Sequence, residues 1–186
     1  NAKIPLPGRH NALNCLAAIC VGIQKKVEIT EALGALKTFP GLRRRLERYP
    51  NQSDLPVFDD YAHNPGKIFS CLSGLRAAFP TRRLIVIFQP HRFTRISSLF
   101  DQFAKSFQVP NCSVVVVPVY AAGEPPINGY DELSIASAIA SQSNVNTFSA
   151  ATLSQAAELV KSMLNPKNDV VVTVGAGDVW LVARQL

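Results

Sequence analysis

The stretch "RLIVIFQPHRFTR" (residues 83–95) opens as an apolar run, Leu84 to Phe88, and breaks directly into glutamine, proline, histidine and two arginines. A run that is apolar at every position, rather than at every second one, needs cover on both faces, which is the environment of a strand in a parallel sheet. The polar cluster then begins where that strand ends. Working outward, "VFDDYA" (57–62) precedes the helical pattern "PGKIFSCLSGLRAAF" (65–79), and Pro65 suits a first helical turn. The strand at 83–89 precedes a helix expected over 97–107. "SVVVVPVY" (113–120) is followed, after a Gly/Pro-rich loop, by "DELSIASAIAS" (131–141). "VNTFS" (145–149) precedes "TLSQAAELVKSML" (152–164), and "DVVVTVGA" (169–176) leads to a last short helix. Strand and helix therefore alternate. The expected fold is a doubly wound, Rossmann-like α/β sheet of mainly parallel strands with flanking helices, and its ligands belong beyond the carboxyl ends of the strands.

Two helical patterns stand ahead of this unit. "NALNCLAAICVGIQ" (11–24) and "ITEALGALKTF" (29–39) carry apolar residues at helical spacing, with Thr30 as an expected N-cap. Pro40 and Gly41 break the pattern, so the division falls there: a short helical segment over 1–42 and the α/β unit over 43–186. The chain begins at Asn1 rather than methionine, directly before a helix start, which points to a piece of something longer.

Among the 186 residues, 47% are hydrophobic, enough for a real core and against disorder. No apolar stretch approaches the roughly 20 residues that span a bilayer, and no signal segment opens the chain, so a soluble protein is expected. A net charge of +6 permits an anionic partner. The basic residues are scattered apart from "RRRLER" (43–48), and no aromatic residue interleaves with that run, which argues against a single-strand nucleic-acid platform. Cys15, Cys20, Cys71 and Cys112 show neither C-x-x-C spacing nor the density of a secreted framework, so they read as core residues in a reducing cytoplasm.

Three polar motifs leave strand ends: "DDYAHN" (59–64), "QPHRFTR" (89–95) and "YAAGEPPINGYD" (120–131). They are expected to converge on one rim. Arg92 and Arg95, three apart at a helix opening, can face one way and bind a carboxylate or phosphate through paired hydrogen bonds. Each such charge-assisted bond contributes about 1.5–3 kcal/mol. His63 and His91 could each add a donor, and Asp59 or Asp60 could accept from a sugar hydroxyl. "VGAGDVW" (174–180) lacks the third glycine of a dinucleotide fingerprint and reads as close helix packing. The chain contains no G-x-x-x-x-G-K-[ST] loop, no cluster with metal-ligand spacing and no G-x-S-x-G elbow.

"GRHNALNCLAA" (8–18), "GLRRRLE" (41–47), "DDYAHNP" (59–65), "FQPHRFTR" (88–95) and "VYAAGEPPING" (119–129), in this order, resemble the C-terminal third of the Mur ligases, and the long Q-P-H-R-x-T-R motif points to their alanine-adding branch. The resemblance implies the tail of an ATP-binding domain followed by an amino-acid-binding domain, with the N-terminal and central domains as missing partners. It implies ATP and Mg2+, both held mainly by those missing parts, and L-alanine and UDP-N-acetylmuramate as substrates of amide formation in bacterial peptidoglycan synthesis, with no nucleic acid and no membrane insertion. By resemblance, His10, Asn11 and Asn14 approach adenine, Arg45 reaches the nucleotide phosphates and Asp60 accepts from ribose. His63, Arg92 and Arg95 hold the amino acid's carboxylate, with Tyr61 beside them and His91 and Asp59 in support. A capping role for Asn11 also fits. The chain departs from the pattern at Leu46, where an aromatic is usual, at Ala62 and at Asn64. Relatives that add another amino acid or a recycled tripeptide, and a non-catalytic anion-binding module, remain open.

With the P-loop absent, this chain alone is expected to fold and to turn over no ATP. Phosphate release from ATP and magnesium by the purified chain checks this, and any turnover defeats it.

Overall fold

A computed structural model describes residues 6–50 and 54–186; the first five residues of the helical segment lie outside them. Six strands form one sheet: β1 (Glu47–Tyr49), β2 (Val57–Asp60), β3 (Arg83–Phe88), β4 (Cys112–Val116), β5 (Asn146–Ser149) and β6 (Asp169–Val174). Their order is β1-β2-β6-β3-β4-β5, all parallel except β1, which runs antiparallel to β2. The doubly wound α/β expectation is met.

Successive strand residues point to opposite faces, and both faces are apolar. Leu84, Val86 and Phe88 pack with Ile68 and Leu72 of α3 (Pro65–Ala78), Phe103 of α5 (Phe100–Lys105) and Ile139 of α6 (Glu132–Ser143). Ile85 and Ile87 pack on the other side with Ala156, Ala157 and Val160 of α7 (Leu153–Met163) and Val182 of α8 (Trp180–Ala183). The division follows from handedness. The chain steps one way across the sheet from β2 to β5 and then returns to insert β6 between β2 and β3, so right-handed crossovers put α7 on the face opposite α3, α5 and α6. Burying Leu72 or Phe88 completely contributes about 1.5–3 kcal/mol each.

Local chemistry fixes the element ends. Asn64 caps α3, its Oδ1 accepting from the Lys67 amide at 3.0 Å, and Pro65 occupies the first turn. Asp131 and Thr152 cap α6 and α7 in the same way. Arg83 grips the buried Asp169 through Nε and Nη2 at 3.0 and 2.8 Å, tying β3 to β6 at their amino ends. Leu46 is buried in the core, and Ala62 is fully buried.

Several expectations shift. Glu28, not Thr30, occupies the N-cap position of α2 (Ile29–Thr38). The helix read over 97–107 starts earlier and is broken at Leu99 into α4 (Phe93–Ser98) and α5, because Leu99 leaves helical geometry. Strand β1, only three residues long, has no periodicity to reveal it. Cys15, Cys71 and Cys112 are buried but Cys20 is exposed on α1 (Arg9–Gln24). Burial pushes the Cys112 thiol up to about 12, so it is an inert core group.

The helical segment meets the α/β unit where α1 begins. Gly8 and Gly74 touch backbone to backbone, and a Cβ on Gly74 would lie 3.1 Å from the Gly8 Cα. Among the described residues no helix is long and apolar enough to cross a membrane.

The glycines of "VGAGDVW" are packing residues. A Cβ on Gly177 would sit 2.4 Å from Gln89 Oε1 and 2.5 Å from the Tyr120 ring. Gly177→Ala is therefore expected to lower stability by about 1–3 kcal/mol through overpacking, read as a lower midpoint in urea or heat, whereas an unchanged midpoint would show that the loop yields freely.

Candidate functional site

Two candidate regions lie at the carboxyl side of the sheet. The first is a cleft of about 950 Å3 between α1, α2 and the start of α3. His10, Asn11, Asn14, Arg45 and Asp60 all line it, as do Asn64, Lys67 and Cys71. These five sequence-predicted residues come from α1, the 41–46 loop and the end of β2, and the fold brings them together.

Their states differ. The Asn11 amide donates to the Pro7 carbonyl at 2.7 Å, which pins the chain ahead of α1 and leaves its oxygen free to accept. The N-cap itself is Gly8, so Asn11 is not a capping residue. Asp60 is buried, its oxygens accepting from the Leu46 and Ala62 amides at 2.9 and 2.8 Å. Burial raises its pKa against those two bonds. Among the described residues the Arg45 guanidinium makes no ion pair, and it stands 5.9 Å from the centre of the Tyr61 ring.

Asp59 points the opposite way, as its neighbour in a strand must. It is fully buried, accepts from Thr173 Oγ1 at 2.6 Å and pairs with Arg44 Nε at 3.0 Å. Burial dominates and raises its pKa. It braces Arg44, whose other contacts are the Gly175 carbonyl at 2.8 Å and the Tyr61 ring at 4.8 Å. Sequence reasoning missed Arg44. Its only signal is membership of the arginine run.

The second region is the rim beyond β2, β3 and β4, where the three motifs do converge. His63 lies edge-on to Tyr61 at 5.4 Å and 6.3 Å from His91, and His91 stacks on Tyr120 at 5.4 Å. Tyr120 is held in register with β3 by the bonds Tyr120 N–H to Pro90 O, 2.8 Å, and Arg92 N–H to Tyr120 O, 2.9 Å. Arg95 turns back one helical turn and donates to the His91 carbonyl at 3.0 Å, with His91 Nδ1 at 3.1 Å.

Arg92 is the N-cap of α4, in the left-handed region at φ 69°, rather than a helical residue in register with Arg95. Its Nε lies 3.4 Å from Glu124. Glu124 also accepts from the Thr94 amide and hydroxyl at 3.0 and 2.8 Å, and these bonds, with both arginines nearby, hold its carboxyl below the usual range. Glu124 and Thr94 were not singled out from the sequence. Thirty residues separate them.

The two rim histidines are complementary. Nδ1 of His63, 2.9 Å from the Tyr61 carbonyl, must carry its proton there, which leaves Nε2 as an acceptor. Nδ1 of His91 accepts from Arg95, so Nε2 carries the N–H. Burial, followed for His91 by Arg95 and for His63 by the Tyr61 bond working the other way, leaves both with lowered pKa values. Among the described residues no group of three His, Cys, Asp or Glu side chains could hold a metal ion.

Comparison with known proteins places the chain among relatives. The family model described as Mur ligase, glutamate ligase domain matches residues 44–177. The UDP-N-acetylmuramate–L-alanine ligase of Desulfosudis oleivorans is 38% identical over 182 residues, covering 97% of this chain and 39% of its own length. That of Desulforapulum autotrophicum is 36% identical over 181 residues, with 97% and 39% covered. The crystal structure of the UDP-N-acetylmuramate-alanine ligase of Thermotoga maritima superposes with a TM-score of 0.78 at 31% identity, over 99% of this chain and 38% of that one. This chain thus spans 39% of the length of the curated relatives it matches.

The histidine states give a pH dependence. A histidine whose folded pKa is depressed contributes stability that is complete above its unfolded value, near 6.5, and is lost as pH falls through the folded one. Asp59 and Asp60, with raised values, act in the opposite sense: their contribution is present below about 3.8 and is lost as pH rises through the folded pKa. Imidazole NMR titration is expected to put His63 and His91 below 6.5, and the contribution of these two histidines to stability is expected to decline as pH drops from 7 towards 5. Midpoints at or above 6.5 would remove both claims.

Proposed function

This chain belongs to the Mur ligase family, and on that basis we propose that it is the C-terminal part of an ATP-dependent enzyme that joins L-alanine to UDP-N-acetylmuramate in the bacterial cytoplasm, during peptidoglycan precursor synthesis. Residues 1–42 form the tail of the ATP-binding domain and residues 43–186 the amino-acid domain. The observation that carries the reading is the meeting of His10, Asn11, Asn14, Arg45 and Asp60 in one cleft of about 950 Å3, a volume suited to a ligand of nucleotide size.

In this reading the Asn11 and Asn14 amides serve a base edge, since an amide both donates and accepts. Asp60 accepts from ribose with lone pairs left over from its two backbone bonds, and Arg45 faces the phosphates. The sugar's carboxylate oxygen attacks the γ-phosphorus of ATP, the bond to the β-phosphate oxygen breaks, and ADP leaves. The free amine of L-alanine then adds to the acyl carbon, a proton is lost from nitrogen, and inorganic phosphate departs with its oxygen to leave the amide. Magnesium supplies charge neutralisation at the transferring phosphoryl group and belongs with the phosphates and the remainder of the enzyme. Arg92 and Arg95 hold the amino acid's carboxylate. Each is already braced, by Glu124 and His91, and so loses less freedom on binding. Positioning of this kind can remove about 7–11 kcal/mol of barrier in favourable cases. The 40–45 segment, with Gly41 at φ 87° and Arg44 at φ 57°, is the hinge about which this domain closes on the rest.

The test measures ADP release by the longer enzyme that carries this chain, with ATP, magnesium and UDP-N-acetylmuramate, comparing L-alanine with glycine, L-serine and a free tripeptide. L-alanine is expected to be preferred. Arg92→Ala or Arg95→Ala should lower kcat/KM for L-alanine by roughly tenfold to a hundredfold, with KM for ATP unchanged. Preference for the tripeptide would move the protein to the recycling branch.

A further inference from the structure

At the rim the protein holds one of its own carboxylates in a set of donors that would equally hold a ligand's. One oxygen of Glu124 accepts from the Thr94 hydroxyl at 2.8 Å and lies 3.4 Å from Arg92 Nε, and the other accepts from the Thr94 amide at 3.0 Å. A hydroxyl, a backbone N–H and a guanidinium N–H converging on two oxygens make a carboxylate site. Glu124 fills it. Its side chain is 17% exposed against 49% for Arg92, so Glu124 is the sheltered partner and the remaining edge of the guanidinium is the one open to a ligand.

The loop fixes this carboxylate in place. Ala122 and Gly123 turn the chain at φ 52° and 86°, and the Glu124 amide donates back to the Ala121 carbonyl at 3.1 Å. Tyr120, at the base of the loop, is bonded to both Pro90 and Arg92. The charged groups acting on His91 are Arg95, Arg92 and Glu124, while His63 and His91, with their lowered pKa values, are neutral at pH 7. Two cations and one anion leave a single net positive charge, the complement of one carboxylate. Arg45 and Lys67 also act on His63, but both line the first cleft. Arg45 borders in addition a separate cleft of about 540 Å3, walled by Arg43, Glu47, Tyr49, Tyr61 and Trp180.

We propose that Glu124 determines specificity: it occupies a second carboxylate site beside the first, so that the rim accepts an amino acid with one carboxylate and rejects those with an acidic side chain. The inference rests on the ligase reading, since it takes the open edge of Arg92, with Arg95, as the seat of the amino acid's own carboxylate. The two sites lie one guanidinium width apart, comparable to the span between the carboxylates of aspartate or glutamate. An acidic side chain reaching across therefore meets a fixed like charge and finds the Thr94 hydroxyl, the Thr94 amide and Arg92 Nε already taken. A neutral side chain needs none of them.

The test uses the longer enzyme that carries this chain, with ATP, magnesium and UDP-N-acetylmuramate, and follows ADP release with L-alanine, L-aspartate or L-glutamate. The unaltered protein is compared with Glu124→Ala, which empties the site, and Glu124→Gln, which removes its charge but keeps an oxygen for Thr94. Both variants are expected to lose kcat/KM for L-alanine through a higher KM, and to raise the ratio of acidic amino acid to L-alanine by roughly tenfold or more. Added sodium formate, with sodium chloride as the ionic-strength control, should refill the site in Glu124→Ala, restoring part of the L-alanine turnover and suppressing that of the acidic amino acids. Proportional loss with every acceptor, as a merely structural loop would give, overturns the proposal. So do inactivity of both variants, a raised ratio that formate does not reverse in Glu124→Ala, and ready use of an acidic amino acid by the unaltered enzyme. An unaltered enzyme that prefers L-alanine, with variants that keep its ratio, removes this inference alone; one that turns over no acceptor removes the ligase reading with it.

Discussion

Everything at the site depends on a sheet buried on both faces. Leu84 to Phe88 and Val170 to Val172 are wholly enclosed, so a polar side chain on these strands has no exit sideways. It must be paired, as Asp59 is with Arg44 and Thr173, or wait for the strand to end. Parallel pairing then puts the ends of β2, β6, β3 and β4 on one side, which is why His63, His91, Tyr120 and Glu124 gather there although they span 62 residues of chain. The late return of β6 between β2 and β3 completes the arrangement. It brings Gly175 and Gly177 beneath Gln89 and Tyr120, where only hydrogen fits.

The buried carboxylates show what the site costs. Burial outweighs the bonds made by Asp59 and Asp60 and raises both pKa values, so at neutral pH each charged group works against stability. What Asp59 gives in return is orientation: it fixes Arg44, whose guanidinium ties the 41–46 loop to Gly175. Asp60 performs the same service for that loop through the Leu46 amide. Arg45 is thereby held at the boundary of two clefts by neighbours on either side in sequence, while among the described residues its guanidinium makes no ion pair and stands only over the Tyr61 ring. Local backbone strain has a similar place. Arg44, Leu46 and Arg92 all sit at positive φ without being glycine, a conformation that costs about 1–3 kcal/mol per residue and persists only where surrounding contacts over-determine it.

The strong periodic elements were legible because their physics is local. Uninterrupted apolar runs such as "LIVIF" need two covered faces, and Pro65 behind Asn64 marks a helix start whatever the rest of the chain does. The rim was legible too, since strand ends are predictable once strands are. Its composition was not. Glu124 clamps Thr94 and Arg92 through a loop with Ala122 and Gly123 at positive φ, a reach that no spacing rule foretells. Asp59 and Asp60 looked equivalent in sequence, and only the alternation of a strand in its final register assigned one to a salt bridge and the other to a cleft. The short β1 and the split between α4 and α5 escaped for the complementary reason, too few residues for a period to register.

The sequence by itself determined the α/β class, the parallel core, the end of the sheet where ligands belong and the five motifs that tie the chain to its family, because hydrophobic periodicity, capping and turn chemistry act over a few residues. Tertiary structure alone decided which arginine is braced and which is free, how His63 and His91 divide donor and acceptor roles, and that Tyr49, Tyr61 and Trp180 close around the arginine run. Those outcomes depend on groups distant in the chain competing for the same hydrogen-bond partners and the same space, and that competition is resolved only when the sheet is assembled.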